Sequence, residues 1–442
     1  MERHCMLFCL LGLALPADAM DLKQAWDLLQ YQGPIYQAAV HEKEAGGENR
    51  AIGKAGLLPQ INASAYDNKV NGSQSQSGIE RDLHYDSKGA NVRLRQPLFN
   101  KQKMAEYRQG QQRADYSNAV FDAKSQDAAV RLAESYFDVL LASETITLAK
   151  SKLNAFDEQL ASAKRRMELG AGTVTDIDES AARRDLAEAE LIEAQDNLVN
   201  ARAKLEEYIG ETPESLTTLR PSFDTPPLLP SNLQDWLVKA QTDSPLIHAR
   251  RYSRDLAAEE VKRASAGHWP TLDFIAGYTA GESQSLSELN QRNHYGSIGL
   301  EVNIPLYSGG GVSALTRQAS ANSDKALDEL DAARQEVITG TTREYQGILS
   351  GAKRIRALEK AVVSNERSLV STRKGFKEGG TSTNSDVLNA EELLFVARHD
   401  LFEAKVRYLL SRLRLASSVG SLGDDDIDQI NNYLGPELLV TK

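Results

Sequence analysis

The sequence predicts a mixed α and β fold written twice in tandem, with four amphipathic strands per chain set among very long helices. Three observations carry this. Landmark residues recur at a nearly constant offset, short segments alternate apolar and polar residues, and two runs of over sixty residues contain no proline.

The duplication organises the rest. Leu22 and Leu233, Pro34 and Pro245, and Pro59 and Pro270 are each 211 residues apart. Pro97 and Pro305 are 208 apart, Tyr136 and Tyr345 are 209 apart, and Asp176 and Asp386 are 210 apart. The drift falls in a Ser/Gln/Asn-rich stretch, where loop length changes freely. The units are 20–212 and 231–421, followed by a C-terminal tail, 422–442. Between them lies a connector, 213–230, with Pro213, Pro221, Pro226, Pro227 and Pro230, which cannot continue a helix.

Residues 1–19 precede the first unit. Arg3, the apolar run Met6–Leu15 and Ala17-Asp18-Ala19 have the layout of a secretory signal, with the mature chain starting near Met20. The run is too short for a permanent membrane helix. Cys5 and Cys9 both lie in it, so the mature chain has no thiol for a disulfide, a zinc site or a nucleophile. Neither cysteine has a lipoprotein context.

Each unit reads as helix, strand, loop, strand, very long helix, turn, helix. Ile298, Leu300, Val302, Ile304 and Leu306 alternate with Gly299, Glu301 and Asn303. Ala90, Val92 and Leu94 alternate with Asn91, Arg93 and Arg95. Leu272, Phe274, Ala276 and Tyr278 alternate with Thr271, Asp273 and Ile275. This is period-2 patterning. It suits a barrel with lipid outside and water inside, and also a sheet lying on a soluble core. In the barrel reading Ile298, Leu300, Val302 and Ile304 face lipid. The segments 68–86 and 280–294 read as long polar loops, with Tyr66, Tyr85, Tyr278 and Tyr295 as an aromatic girdle where strands meet them.

The long helices run from about Lys101 to Leu169 and from about Val312 to Lys377. The first would span roughly 100 Å at 1.5 Å per residue. Leu153, Phe156, Leu160, Ala163 and Met167 keep the 3-4 spacing of coiled-coil seams. Shorter helical stretches are expected at 21–56, 175–209, 232–266 and 385–419.

Composition excludes several functions. The net charge of −11 comes with no basic cluster, so nucleic acid is not a partner. No stretch approaches the roughly 18–20 apolar residues of a membrane helix, so entry into a membrane would be as strands. The mature histidines lack mutual metal-ligand spacing. There is no P-loop, and Gly309-Gly310-Gly311 suits a sharp strand-to-helix turn. No enzyme, cofactor or metal site is expected.

Four strands cannot close a barrel and eight fill their own interior, so an open lumen needs several chains. At this point the sequence resembles the TolC family of outer-membrane efflux and secretion channels, over essentially the whole mature chain. The resemblance rests on Leu58-Pro59, Gly267–Asp273, Gln96-Pro97-Leu98-Phe99 and Ile304–Gly310. It rests also on the turns from Met167 to Asp176 and from Phe376 to Ala390, and on the run Ala404–Leu422. It implies a homotrimeric duct, in which a 12-stranded outer-membrane β-barrel stands on a long periplasmic α-helical barrel. It implies a passive exit role in type I protein secretion or small-molecule efflux. The partners would be a periplasmic adaptor (membrane fusion) protein and an inner-membrane ABC exporter or proton-driven pump, with outer-membrane lipid around the barrel.

On the same resemblance the helical turns form a periplasmic tip. Asp386 matches a gate aspartate, and Asn389 stands where a second often lies. The turns Leu169, Gly170, Ala171 and Glu378, Gly379, Gly380 would dock the adaptor. Phe376 replaces a common tyrosine, no arginine lies between Gly379 and Asp386, and the second turn has one extra residue. Three Asp386 carboxylates around one axis would repel and raise one another's pKa. Without an oligomer, Asp386 reads as an N-cap for a helix beginning at Val387, and Gly170 and Gly379 as helix caps. The competing functional reading is a soluble periplasmic coiled-coil adaptor or scaffold, which explains the helices but not the paired strands.

Overall fold

The computed structural model describes residues 19–284, 290–379 and 381–439. The expected signal segment up to Asp18, part of the second polar segment and Gly380 lie outside the described residues. The chain forms two compact units, each drawing on both sequence halves. One holds residues up to Val40, Asp122–Pro245 and Gln335 onward; the other holds His41–Phe121 and Leu246–Arg334.

In chain order the first half gives α1 (Leu22–Gln32), α2 (Pro34–Gly47), α3 (Asn49–Ala55), β1 (Gln60–Gln76), β2 (Ile79–Phe99), α4 (Lys101–Glu168) and α5 (Val174–Ile209). A short strand, β3 (Ser215–Leu219), follows. The second half gives α6 (Leu233–Asp243), α7 (Pro245–Ser265), β4 (Thr271–Gln284), β5 (Asn290–Asn303), α8 (Gly311–Lys374) and α9 (Asn384–Ser418). The chain ends with α10 (Asp424–Asn431) and β6 (Leu434–Leu439). Pro34 and Pro245 open α2 and α7, where a missing N–H costs nothing. Among the described residues no helix is long and apolar enough to cross a membrane.

Three elements were not expected. The proline-rich connector contains β3, and the tail contains α10 and β6. β6 pairs antiparallel with β3, and Met20 bridges Leu216 in parallel on β3. Tyr136 fixes this corner. Its hydroxyl lies 3.0 Å from the Met20 carbonyl and 2.8 Å from that of Thr217, and burial pushes its pKa well above the ordinary range. The equivalent Tyr345 donates to the Ser231 carbonyl at 2.6 Å. Each tyrosine thus clamps the residue two positions before the first helix of its half. α10 docks on α1 through Trp26 Nε1 to Asp424 at 2.9 Å and Lys23 to Asp424 at 2.8 Å.

In the other unit the strands form one antiparallel sheet in the order β1-β2-β4-β5. The segment 68–86 is not a loop. β1 and β2 continue through it in unbroken register, turning only at Ser77-Gly78. The first turn of α4 continues directly from β2, and α4 crosses α3 closely. A Cβ on Gly110 would lie 2.3 Å from the Asn49 carbonyl, and one on Gly53 would lie 3.3 Å from the Gly110 Cα. That crossing explains the glycine inside an otherwise uninterrupted helix.

Candidate functional site: paired helical turns and a two-faced sheet

The first helical turn is built by the end of α4 and the start of α5. Gly170 has φ +74°, and the Ala171 and Gly170 N–H groups bond back to the carbonyls of Arg166 and Met167 at 2.8 and 3.0 Å. Gly170 is therefore a left-handed helix terminator. Leu169 beside it is exposed. α5 begins with a capping box. Thr173 Oγ1 accepts from the Asp176 N–H at 3.1 Å, and Asp176 Oδ2 accepts from the Thr173 N–H at 2.9 Å.

The second turn repeats this. Thr383 is the N-cap of α9, and Asp386 is its third residue. Asp386 Oδ2 accepts from the Thr383 N–H at 2.7 Å and hydroxyl at 2.8 Å, and Thr383 Oγ1 accepts from the Asp386 N–H at 3.2 Å. Asp386 is thus inside the helix rather than the cap before Val387, because Thr383 supplies the better-placed oxygen. These bonds hold the Asp386 carboxyl below its ordinary pKa, the direction opposite to ring repulsion. Asn389, one turn on, accepts from Arg183 Nη2 of α5 at 2.8 Å.

The extra residue of the second turn has a structural location. α8 ends in a π-helical segment, Gly375–Gly379, and a π turn takes up one residue more than an α turn. Glu378 sits in it, exposed, 3.8 Å from Lys374. Gly379 closes it.

Side chains tie the two turns together, and nothing in a single sequence announced them. Arg166 of α4 lies 4.3 Å over the Phe376 ring and approaches the Phe376 and Ala171 carbonyls, each at 3.5 Å. Asn384 is buried, donating to Ser180 Oγ at 3.0 Å and accepting from Gln159. Phe156, Ala187 and Leu388 form an apolar cluster across α4, α5 and α9. Beside it Lys152 reaches Glu190 at 2.6 Å and Glu392 at 2.8 Å. Arg373 of α8 holds the buried Glu391 at 2.7 Å.

The sheet has two chemically distinct faces. Directly paired residues share a face, so the register collects Ile61, Ala63 and Ala65 with Val92, Leu94, Phe274, Ala276, Ile298, Leu300 and Val302. Ile298, Leu300 and Val302 are more than half exposed, as is Ile304, which falls one residue past the end of β5. The opposite face carries Gln60, Asn62, Ser64, Asn91, Arg93, Arg95, Asp273, Glu301 and Asn303. Tyr66, Tyr85 and Tyr295 lie on this polar face and Tyr278 on the apolar one, all four inside strands. They are not a girdle. Tyr66 instead covers Gly89, whose Cβ would lie 2.6 Å from its ring. Among the described residues β1 and β5 each pair on one side only.

The family model described as outer membrane efflux protein matches residues 29–211 and again 236–421. The chain belongs to this family, the TolC family of export channels. Curated relatives include the proteases secretion protein PrtF of Dickeya chrysanthemi, 35% identical over 96% of this chain and 94% of that one. The alkaline protease secretion protein AprF of Pseudomonas aeruginosa is 34% identical over 94% and 87%, and TolC of Escherichia coli is 27% identical over 96% and 88%. Among solved structures, VceC of Vibrio cholerae aligns with TM-score 0.76 at 19% identity over 90% of this chain and 96% of that one. CmeC of Campylobacter jejuni aligns with TM-score 0.78 at 15% identity over 94% and 90%. As a TolC-family member this is an outer-membrane protein and the passive, non-catalytic exit channel of a tripartite export system. That excludes the soluble adaptor reading.

Proposed function

We propose that this chain is the outer-membrane exit duct of a type I protein secretion system, assembled as a homotrimer. The observation that carries the assembly is the two-faced sheet with one open edge on each side. An isolated sheet of this kind leaves both its edges and its apolar face unsatisfied. Three copies joining β5 to β1 remove the edges and make twelve strands, enough for a water-filled interior. On β4 the apolar set from Leu272 to Ala280 spans roughly 27 Å along the strand at about 3.4 Å per residue. Tilted as barrel strands are, this matches an apolar band about 25 Å tall. Ile298, Leu300, Val302 and Ile304 then face lipid, and the Arg93–Glu301 face lines water.

The long helices extend the duct through the periplasm as a helical barrel. The turns at Leu169, Gly170, Ala171 and at Glu378, Gly379, Gly380 meet a periplasmic adaptor and an inner-membrane pump, an ABC exporter or a proton-driven one. Asp386 gates the tip, with Asn389 beside it. Polypeptide cargo is favoured by the relatives named for protease secretion, which are 34–35% identical over nearly the whole chain. Deletion of this chain should abolish secretion of the cognate protein while leaving detergent and dye tolerance near normal. Loss of tolerance with secretion intact would assign small-molecule efflux instead. Mass measurement in mild detergent tests the trimer, and a conducting monomer or dimer would overturn it.

A further inference from the structure

On the polar face of the sheet, from Asn303 up to the row of Tyr66, charge is confined to three adjacent rows. Gln60, Arg95, Ile275 and Gly299 form one row, and Asn62, Arg93, Gly277 and Ser297 the next. On the other side of the first lie Pro97, Asp273 and Glu301, with Thr271 and Asn303 beyond. From there to Tyr66 the face is Ser64, Asn91, Thr279, Tyr295, Gly89, Gly281 and Asn293, small or neutral groups. The charges are also segregated by strand. Both cations stand on β2, and the two carboxylates stand on β4 and β5.

Their environments differ. Asp273 is buried, and its Oδ2 takes both Arg95 Nε at 3.1 Å and Nη2 at 2.5 Å. That pair is internally neutralised. Arg93 and Glu301 are exposed, and among the described residues neither has an ion-pair partner. Two strand spacings and four residues of rise separate their backbones by roughly 16 Å. This exceeds the screening length of about 8–10 Å, so the two act on different parts of the wall, and the cation that Glu301 does face is Arg95 in the row between them.

We infer that these rows form a sectored, charge-balanced belt lining the duct, suited to an extended polypeptide that carries both signs. The inference rests on the duct reading above. Three-fold repetition places Arg93 sectors and Glu301 sectors alternately around the wall. On the axis the three Arg93 and three Glu301 charges oppose one another and sum to zero over the belt, so neither sign of cargo meets a net wall charge. Near the wall the potential is of either sign by position, and each charge on a passing chain finds a counter-charge. A ring of one sign would instead select against about half of the charged side chains of an unfolded protein.

Residues 20–442 contain no cysteine, so single cysteines introduced there can report the local potential in the channel. Asn303→Cys sits two residues from Glu301 on the same face, and Asn62→Cys is paired directly with Arg93. Channels in planar bilayers at low salt are exposed to cationic and anionic methanethiosulfonates. The ratio of cationic to anionic modification rates should be about sevenfold higher at Asn303→Cys, the size of a potential difference of about one kT acting on reagents of opposite charge. Adding Glu301→Gln should remove most of that excess, and Arg93→Gln should raise the ratio at Asn62→Cys. Equal ratios at both positions overturn the belt and leave the duct intact. Val302→Cys reacting as fast as Asn303→Cys overturns the face assignment, and the duct reading with it.

Discussion

Arg166 lays its guanidinium over the ring of Phe376, 4.3 Å from the centroid. The residues are 210 apart in sequence, one at the end of α4 and the other in the π-helical end of α8. The contact joins the two helical turns of one chain with no tyrosine hydroxyl and no arginine in the second turn. Such a stack is worth about 0.5–1 kcal/mol at a partly exposed site. Phe376→Ala or Arg166→Gln should therefore loosen the turns without unfolding the helices. We expect each variant to raise the resting conductance of single channels in planar bilayers. The double variant should do no more than either alone, since the two residues share one contact. Additive increases would show that the stack does not hold the turns.

Lys152 makes a second tie, farther from the turns, between α4, α5 and α9. Burial alone would lower its pKa, but its hydrogen bonds to Glu190 and Glu392 outweigh that and raise it above the ordinary lysine value. A raised cation pKa contributes stability that is complete below the unfolded-state value and is lost as pH climbs through the folded-state value. The tie should hold at every physiological pH and weaken only above about pH 10.5. Lys152→Met should cost about 2 kcal/mol, less than a fully buried pair because Glu190 is half exposed. Urea denaturation followed by circular dichroism measures this. The difference between variant and parent should shrink at strongly alkaline pH, and a constant difference would refute the ionic origin.

The barrel face is tested by neighbouring residues with opposite outlooks. Val302 shares the apolar face with Leu300 and Ile298, while Asn303 shares the polar face with Glu301. Val302→Arg should destabilise membrane insertion by about 2–4 kcal/mol if it lies near the bilayer midplane, and Asn303→Arg should be tolerated. Refolding into vesicles, read by heat-modifiable mobility, distinguishes them. Equal tolerance would mean that the apolar face is not against lipid.

Much of this arrangement was legible in the sequence because the long helices and the strand bases obey strong local rules. Absence of proline from 101 to 169 marked α4 to within one residue, and the Ile298–Val302 alternation marked the face of β5. The polar hairpin was misread because residues 68–86 alternate nothing; beyond an apolar band both strand faces meet water, and the period-2 signal vanishes. β3 was missed because Ser215–Leu219 is five residues long and its partner β6 lies about two hundred residues away. The turns themselves were visible, but not their ties. Arg183–Asn389 and Asn384–Ser180 join positions over two hundred residues apart, and no local pattern in one sequence encodes such a pair. Thr383 could have been found. Thr-x-x-Asp before an apolar run is a capping signal, and it occurs at 173–176 as well.

Gly170 has the left-handed φ of +74° but open space around it, with nothing within 4 Å of an added Cβ. Substitution there is a backbone penalty and not a clash. Gly170→Ala should cost roughly 1–2 kcal/mol locally and reduce export only slightly. A larger side chain carries the same backbone penalty but alters the exposed surface. Gly170→Trp should therefore abolish export while trimers persist in the outer membrane, if the turn docks a partner. Equal export by the alanine and tryptophan variants would reduce the glycine to a helix cap.

The last prediction separates the two roles of Asp386, helix capping through its box with Thr383 and gating. In the box it accepts from the Thr383 N–H and hydroxyl, and these bonds keep its carboxyl below the usual pKa. A depressed carboxyl contributes stability above its unfolded-state pKa and loses it as pH falls through the folded-state value, so the cap should fail only below about pH 4. As a gate, three copies facing one passage would repel, counteract that depression and titrate as a coupled set at higher pH. Asp386→Asn keeps an oxygen for the capping bonds and removes the charge, whereas Thr383→Ala removes the cap and keeps the charge. If Asp386 gates the duct, Asp386→Asn should weaken cation selectivity and multivalent-cation block in single-channel recordings, and Thr383→Ala should leave both nearly intact. Asn389→Asp should strengthen the block, since it adds a carboxylate one helical turn away and gives Arg183 an ionised partner. Asp176, with the same capping box in the first turn, is the control. If Asp386→Asn and Asp176→Asn change selectivity equally, the effect belongs to the acidic tip as a whole. If neither changes it, Asp386 serves the capping box alone and the constriction lies elsewhere in the duct.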